Sequence, residues 1–427
     1  MLYSGLMKPF FRRLIEGRPA EDMVLVCALA ASLLFSQISI SLAQGFLAIA
    51  LAAWIVLLIQ KKRRFDVPVF FWVLAVYAAL SLVSSAASVN PRMSFWDSRE
   101  LLLILAVPVV LAAVRRREDL RLLLGAALVS AAINGVYAIF CRLTTDVERV
   151  DAFMSHYMTQ AGITALFISF ALGYLFGGFG RRPTASSGAT DVKLVGAERA
   201  VWGLALILAV AANLLTYTRG AWIGVGAALV VALFLWKPKA LIILPVVAVL
   251  GFLAAPKSIR DRALSIFTMR DNSNIARVQY FKAGMKIIGD YPLFGTGPDT
   301  VDMVFQNEKY GLGVYAKHNV HLHSNVIQIA AERGIATLAA WLAFVILAFL
   351  GLWPLRRKPD APAPPDSVLR RKIGIGALAV LTALFIAGFF EYNFGDSEIA
   401  QLFFVLISLP FAAKRLEKEA HDPARAR

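Results

Sequence analysis

The feature that most constrains this chain is a succession of long apolar runs, each stopped by charged or turn-forming residues. They are Met23–Ser41, Gly45–Gln60, Val67–Ala87, Leu101–Val114, Leu120–Phe140 and Ala161–Phe179, then Val201–Leu215, Ala221–Trp236, Ala240–Ala255, His323–Trp353, Ile373–Phe390 and Ile399–Ala413. A helix needs about 20 apolar residues to cross the ~30 Å hydrocarbon layer, and only helices or closed barrels satisfy their backbone there. Period-two alternation is absent, which argues against a barrel. The reading is an all-α polytopic membrane protein of about 12 transmembrane helices. Composition agrees, with 59% hydrophobic residues and a mean hydropathy of +0.66.

The formal charge of +16 raises the question of nucleic acid. Alternate loops assigned to two sides answer it. The side with both termini holds 29 Lys and Arg against 13 Asp and Glu, and the other holds 15 against 15. All of the excess lies on one side, which the positive-inside rule makes cytoplasmic. The basic loops therefore set orientation, and no nucleic-acid partner is expected. Residues 1–255 form an N-terminal membrane region of about nine helices. Residues 256–322 form one long periplasmic loop between helices 9 and 10, and 323–427 hold the last helices and a cytoplasmic tail. Cys27 and Cys141 fall near opposite faces, so no disulfide is expected.

In a chain this apolar, chemistry is to be sought in the polar interval from Arg277 to Thr337. His318, His321 and His323 cluster there, and His323 heads the tenth helix, where Ser324 or Asn325 can cap it. A histidine at the water boundary suits a general base. No carboxylate falls at ligand spacing beside the three histidines, so a metal is not expected. Arg219, at the mouth of a span in TYTRG, suits a phosphate or pyrophosphate, which a guanidinium grips with two parallel hydrogen bonds. Arg277 opens an amphipathic helix whose apolar face is Phe281, Met285 and Ile288. Arg142, Arg149 and His156 lie in another outer loop beside acidic residues. Glu391 and Asp396 lie between the last two spans, as catalytic groups or arginine partners. Pro292–Asp299 is a rigid glycine–proline turn rather than a dinucleotide loop, and no Walker motif is present.

These residues resemble the bacterial O-antigen ligases, within a superfamily that also holds O-antigen polymerases. The resemblance rests on Arg277–Ala283 with Pro292-Leu293-Phe294-Gly295-Thr296-Gly297, on His323-Ser324 followed by Gly334 and Thr337, and on Thr218-Arg219-Gly220. It implies glycosyl transfer at the periplasmic face of the Gram-negative inner membrane, without cofactor, metal or ATP. The implied donor is O-antigen on undecaprenyl pyrophosphate, and the implied acceptor is the lipid A–core oligosaccharide. His323 is then the base and Arg219 the catalytic cation. Arg277, Arg149, Arg142, His321, His318 and Tyr280 are candidates for contacting pyrophosphate or glycan. An O-antigen polymerase is the nearest rival. A transporter of lipid-linked glycan is the rival of another class, disfavoured by the lack of an internal repeat. A protein-glycosylating relative is a third.

Overall fold

The computed structural model describes residues 12–178, 189–268, 271–313, 320–358 and 365–421, and these residues contain helices and no strand. The N-terminal part comprises α1 (Ala20–Phe35), α2 (Ile40–Ile59), α3 (Val69–Ala86), α4 (Pro91–Asp97), a 3-10 segment (Ser98–Leu105), α5 (Ala106–Ala113) and α6 (Arg117–Thr144). Next come α7 (Tyr157–Gly178), α8 (Ala189–Leu215), α9 (Arg219–Trp236), α10 (Leu244–Ala254), α11 (Lys257–Leu264), α12 (Asn272–Asp290) and α13 (Val301–Phe305). The last three are α14 (Asn325–Leu352), α15 (Pro365–Ala387) and α16 (Ser397–His421).

Among the described residues, eight helices are long and apolar enough to cross a membrane. The other four of the twelve predicted spans fall short for separate reasons. The first is only 16 residues long, the fourth is a 3-10 turn followed by eight α-helical residues, the ninth has 11 residues, and α15 opens with charged residues, Arg370, Arg371 and Lys372. The chain is thus multi-pass, with a long helix at each strongest run.

The loops that the charge count grouped together do meet. At one end of the bundle Val89 N–H donates to the Thr296 carbonyl, Val150 N–H to Leu215, Thr159 Oγ1 to Asp396 and Gln44 to Ser397. The basic loops meet at the other end, where Arg18 pairs with Asp119, Arg63 with Asp22, Arg117 with Asp366 and Arg370 with Glu417. In the bundle α7 and α15 approach closely through small residues. A Cβ on Gly173 would sit 2.4 Å from the Gly376 nitrogen, so the contact requires glycine.

Two details of the polar interval bear on the site. The exposed face of α12 is the one carrying Phe281 and Met285. Its buried face is Tyr280, Ala283, Gly284 and Ile287, at i, i+3, i+4 and i+7, packed with Leu322 and Ile327. The helix thus leaves Phe281 and Met285 of the apolar 281/285/288 stripe on its exposed side, while the small residues at 283 and 284 allow close helix packing.

The tenth predicted helix is not continuous. It starts at Asn325, and Gly334 breaks it with φ 82° and ψ 168°. The Pro292–Gly297 turn fills that break. Ile335 N–H donates to the Pro292 carbonyl, while Thr296 and Gly297 N–H donate to Ala331 and Glu332. Ser84 adds its hydroxyl to the Glu332 carbonyl. The backbone groups that a broken helix leaves unpaired are thereby satisfied. A Cβ on Gly334 would lie 2.0 Å from the Leu293 carbonyl oxygen. Gly334→Ala is expected to cost about 1–3 kcal/mol from the backbone conformation alone, with the clash in addition. Thermal unfolding in detergent should show a clear drop in Tm, and an unchanged Tm would refute this reading of the break.

Candidate active site

His323 stands one residue before the α14 N-cap with φ +51°, an uncommon conformation for a side-chain-bearing residue. The capping role expected of Ser324 is not seen, since its side chain makes no cap bond. Asn325 fixes the turn instead. Its N–H donates to the Gly388 carbonyl at 2.7 Å, its amide to Asn393 Oδ1 at 2.7 Å, and its oxygen accepts from Phe394 N–H at 3.0 Å. The start of α14 is thus stapled to the loop between α15 and α16.

That staple brings Glu391 to the histidines. His323 Nδ1 lies 2.9 Å from Glu391 Oε2, and His321 Nε2 lies 3.5 Å from Oε1. The two imidazoles meet edge to face at 4.5 Å, and Tyr280 flanks His323 at 5.3 Å. Burial would raise the Glu391 carboxyl, but His323, His321 and Arg277 outweigh it and hold it down at about 2. It is therefore a carboxylate at any physiological pH. Burial lowers the His321 pKa. His318 lies outside the described residues.

The outer arginines gather beside this pair. Arg219 is buried and donates to Ser265 (carbonyl and hydroxyl), Asp271 and Asn274 at 2.7–3.0 Å. Arg149 donates to the carbonyls of Thr216 and Tyr217 and lies 3.6 Å over the Tyr157 ring. Arg277 donates to neutral acceptors, the Phe390 carbonyl and Ser273 Oγ. Burial lowers the pKa of Arg277; Glu391 opposes that, and Arg219 and Arg262 add to it. Arg149 and Arg262 are lowered for the same first reason, with neighbouring guanidiniums contributing. A cavity of about 700 Å³ is lined by Arg142, Arg149 and Arg262, with Tyr217, Asp271 and Ser273. Crowded guanidiniums in a hollow form a place for an anion.

A second cavity, of about 340 Å³, opens on the other side of Glu391, with His156 and His321 on its wall. Glu332 and Arg333 line it. Arg333 donates to Glu332, Asp97 and the Tyr392 hydroxyl at 2.8–3.1 Å. Removing one member of such a buried ionic group strands the others. Arg333→Ala is expected to destabilise the fold by about 3–5 kcal/mol. Unfolding of the detergent-solubilised variant measures this, and a loss under 1 kcal/mol on the same scale would show the network to be solvated.

Arg262, Asp271 and the His–Glu pairing are the parts sequence reasoning missed. Arg262 sits in no motif, and its only signal is its position among the outer arginines. Glu391 is separated from His323 by 68 residues, and no local period connects them. The sequence argument against a metal was the lack of a nearby carboxylate. The fold supplies one: His321, His323 and Glu391 each offer a ligand atom, all within 4.8 Å of one another. The trio can hold a hydrogen-bonded proton relay or three ligands of a metal ion.

Residues 204–342 match the family model described as O-antigen ligase. Through this segment the chain is similar to the O-antigen ligase superfamily. No curated protein matches the chain. The matched O-antigen ligase segment contains Arg219, Arg262, Arg277, His321, His323 and Gly334. Glu391, Arg142 and Arg149 fall outside it and are joined to it by the fold. The superfamily implies a ligase- or polymerase-type glycosyl transfer on lipid-linked polysaccharide.

Proposed function

We propose that this protein is an O-antigen ligase. In this reading it transfers O-antigen glycan from undecaprenyl pyrophosphate to a sugar hydroxyl of lipid A–core, at the periplasmic face of the inner membrane. The observation that carries the reading is the His323–Glu391 pair between an arginine-lined hollow and a second cavity. Donor pyrophosphate lies against Arg277 and Arg149, where positive charge favours its departure. Glu391 accepts from His323 Nδ1–H, so Nε2 takes the proton of the attacking hydroxyl. The hydroxyl oxygen forms a bond to the anomeric carbon as the bond from that carbon to the phosphate oxygen breaks. Undecaprenyl pyrophosphate leaves with the electron pair, and the imidazolium gives its proton to solvent. One displacement inverts the anomeric centre.

Cells lacking the protein test the reading. A ligase loss leaves bare core and accumulated lipid-linked polymer. Core bearing a single repeat would instead identify a polymerase. Transfer between purified donor and core in liposomes without an ion gradient separates both from a transporter. The same assay with a chelator tests the trio's role: the proton relay predicts an unchanged rate, and loss restored by added metal would assign the ligand role.

A further inference from the structure

The structure assigns the cavity beside Glu391, together with an apolar groove adjoining it, to the acceptor. We propose that carboxyl groups of the cavity hold the hydroxyls of the acceptor sugar while an acyl chain of the same molecule lies in the groove. This rests on the glycosyl-transfer reading above and adds which surface takes which substrate.

Charge makes the first distinction. Asp97, Glu100, Asp299, Glu332, Asp396 and Glu398 join Glu391 on the wall of the 340 Å³ cavity, against the single guanidinium of Arg333. A pyrophosphate brought here would meet like charge, whereas hydroxyls suit carboxyl groups, which accept or donate according to protonation. Both forms are present near neutrality. Burial pushes Asp299 up to about 6 and Glu100 to about 7, with Asp97 adding to each. Arg333 is 6% exposed, and its buried Nε has no hydrogen-bond partner among the described residues. A buried polar atom without a partner in a cavity wall is a position that a ligand oxygen can satisfy.

Continuity makes the second. A groove of about 430 Å³ is lined by Leu47, Leu51, Leu102 and Leu103, and it shares Glu100 and Ser397 with the cavity. At the junction Gln44 donates to Ser397 Oγ at 2.9 Å. An apolar trough between a membrane-crossing helix, α2, and the 3-10 segment leads directly to sugar-binding groups. That combination fits one molecule with a polar head and a hydrocarbon tail. The arginine hollow shares no lining residue with this cavity. Donor and acceptor thus approach from different sides and meet at His323 and Glu391.

The test uses the full chain in liposomes, with donor and core oligosaccharide varied separately. Asp299→Asn and Glu100→Gln are expected to raise the acceptor KM about tenfold, the effect of one or two lost hydrogen bonds, with the donor KM unmoved. KM does not depend on the amount of folded protein, so partial misfolding does not imitate this result. Leu47→Trp, which fills the groove, is expected to lower the rate ratio between acylated and deacylated acceptor about tenfold. A rise in donor KM in the cavity variants, or an unchanged ratio in Leu47→Trp, would overturn the assignment. Absence of transfer to any sugar acceptor by the wild-type protein would instead remove the ligase reading itself.

Discussion

Glu391→Gln is expected to slow glycosyl transfer by about 10²–10⁴, close to the loss in His323→Ala, because the two groups act as one unit. The glutamine keeps the shape and can still accept from Nδ1–H. It removes the negative charge that stabilises the imidazolium formed when the proton moves to His323. The carboxyl is held at about 2, so lowering the pH from 7 to 5 leaves it ionised. Single-turnover rates with saturating donor and acceptor measure the chemical step. The double variant should be little worse than either single one. Additive losses would show two independent roles and sink the relay.

The second large effect concerns the arginines. Arg277→Ala is expected to reduce kcat/KM by about 10²–10³, as removal of one charged donor from a developing anion does. Its stability should change little, because its hydrogen bonds to described residues go to neutral acceptors and no carboxylate is left without a hydrogen-bonded partner by its loss. Arg219 was the stronger candidate by sequence, but its bonds to Ser265, Asp271 and Asn274 hold α9 to the segment before α12. Arg219→Ala should lower Tm before any effect on chemistry can be isolated, by about 3–5 kcal/mol for a buried partner left unpaired. Paired melting and kinetic measurements on the two variants separate scaffold from site. Equal melting shifts would refute this division, and full activity in Arg277→Ala would remove it from the pyrophosphate site.

The sequence showed a good deal of this arrangement, for identifiable reasons. Hydrophobic length reveals spans because the membrane fixes it, and charge asymmetry groups loops because orientation depends on it. The loops so grouped contact one another. Among the described residues, helix length and hydropathy support eight of the twelve predicted spans and leave four short of the criterion, since an apolar run in sequence does not fix the length of the helix that forms there. Site geometry was less visible. His323 and Arg277 stood out by position, whereas the partner of each arginine depends on how segments dock. Glu391 and Asp396 were read as catalytic groups or arginine partners, and the pairing of Glu391 with His323 was missed because nothing local says that Asn325 draws their loop onto α14. The φ sign at Gly334 is likewise invisible, so a broken helix read as a continuous one.

The break at Gly334 also couples two parts of the chain that look independent. The Pro292–Gly297 turn and the middle of α14 exchange backbone hydrogen bonds, so neither can shift register alone. They should vary together among relatives of this protein, a loss of glycine in one appearing only with a rebuilt partner. The stretch between them is tied to the same clasp, since Thr300 Oγ1 donates to the Gly297 carbonyl and Asp299, His321 and Gln328 line the cavity that Arg333 lines, so a change of register at the break would move the cavity wall with it.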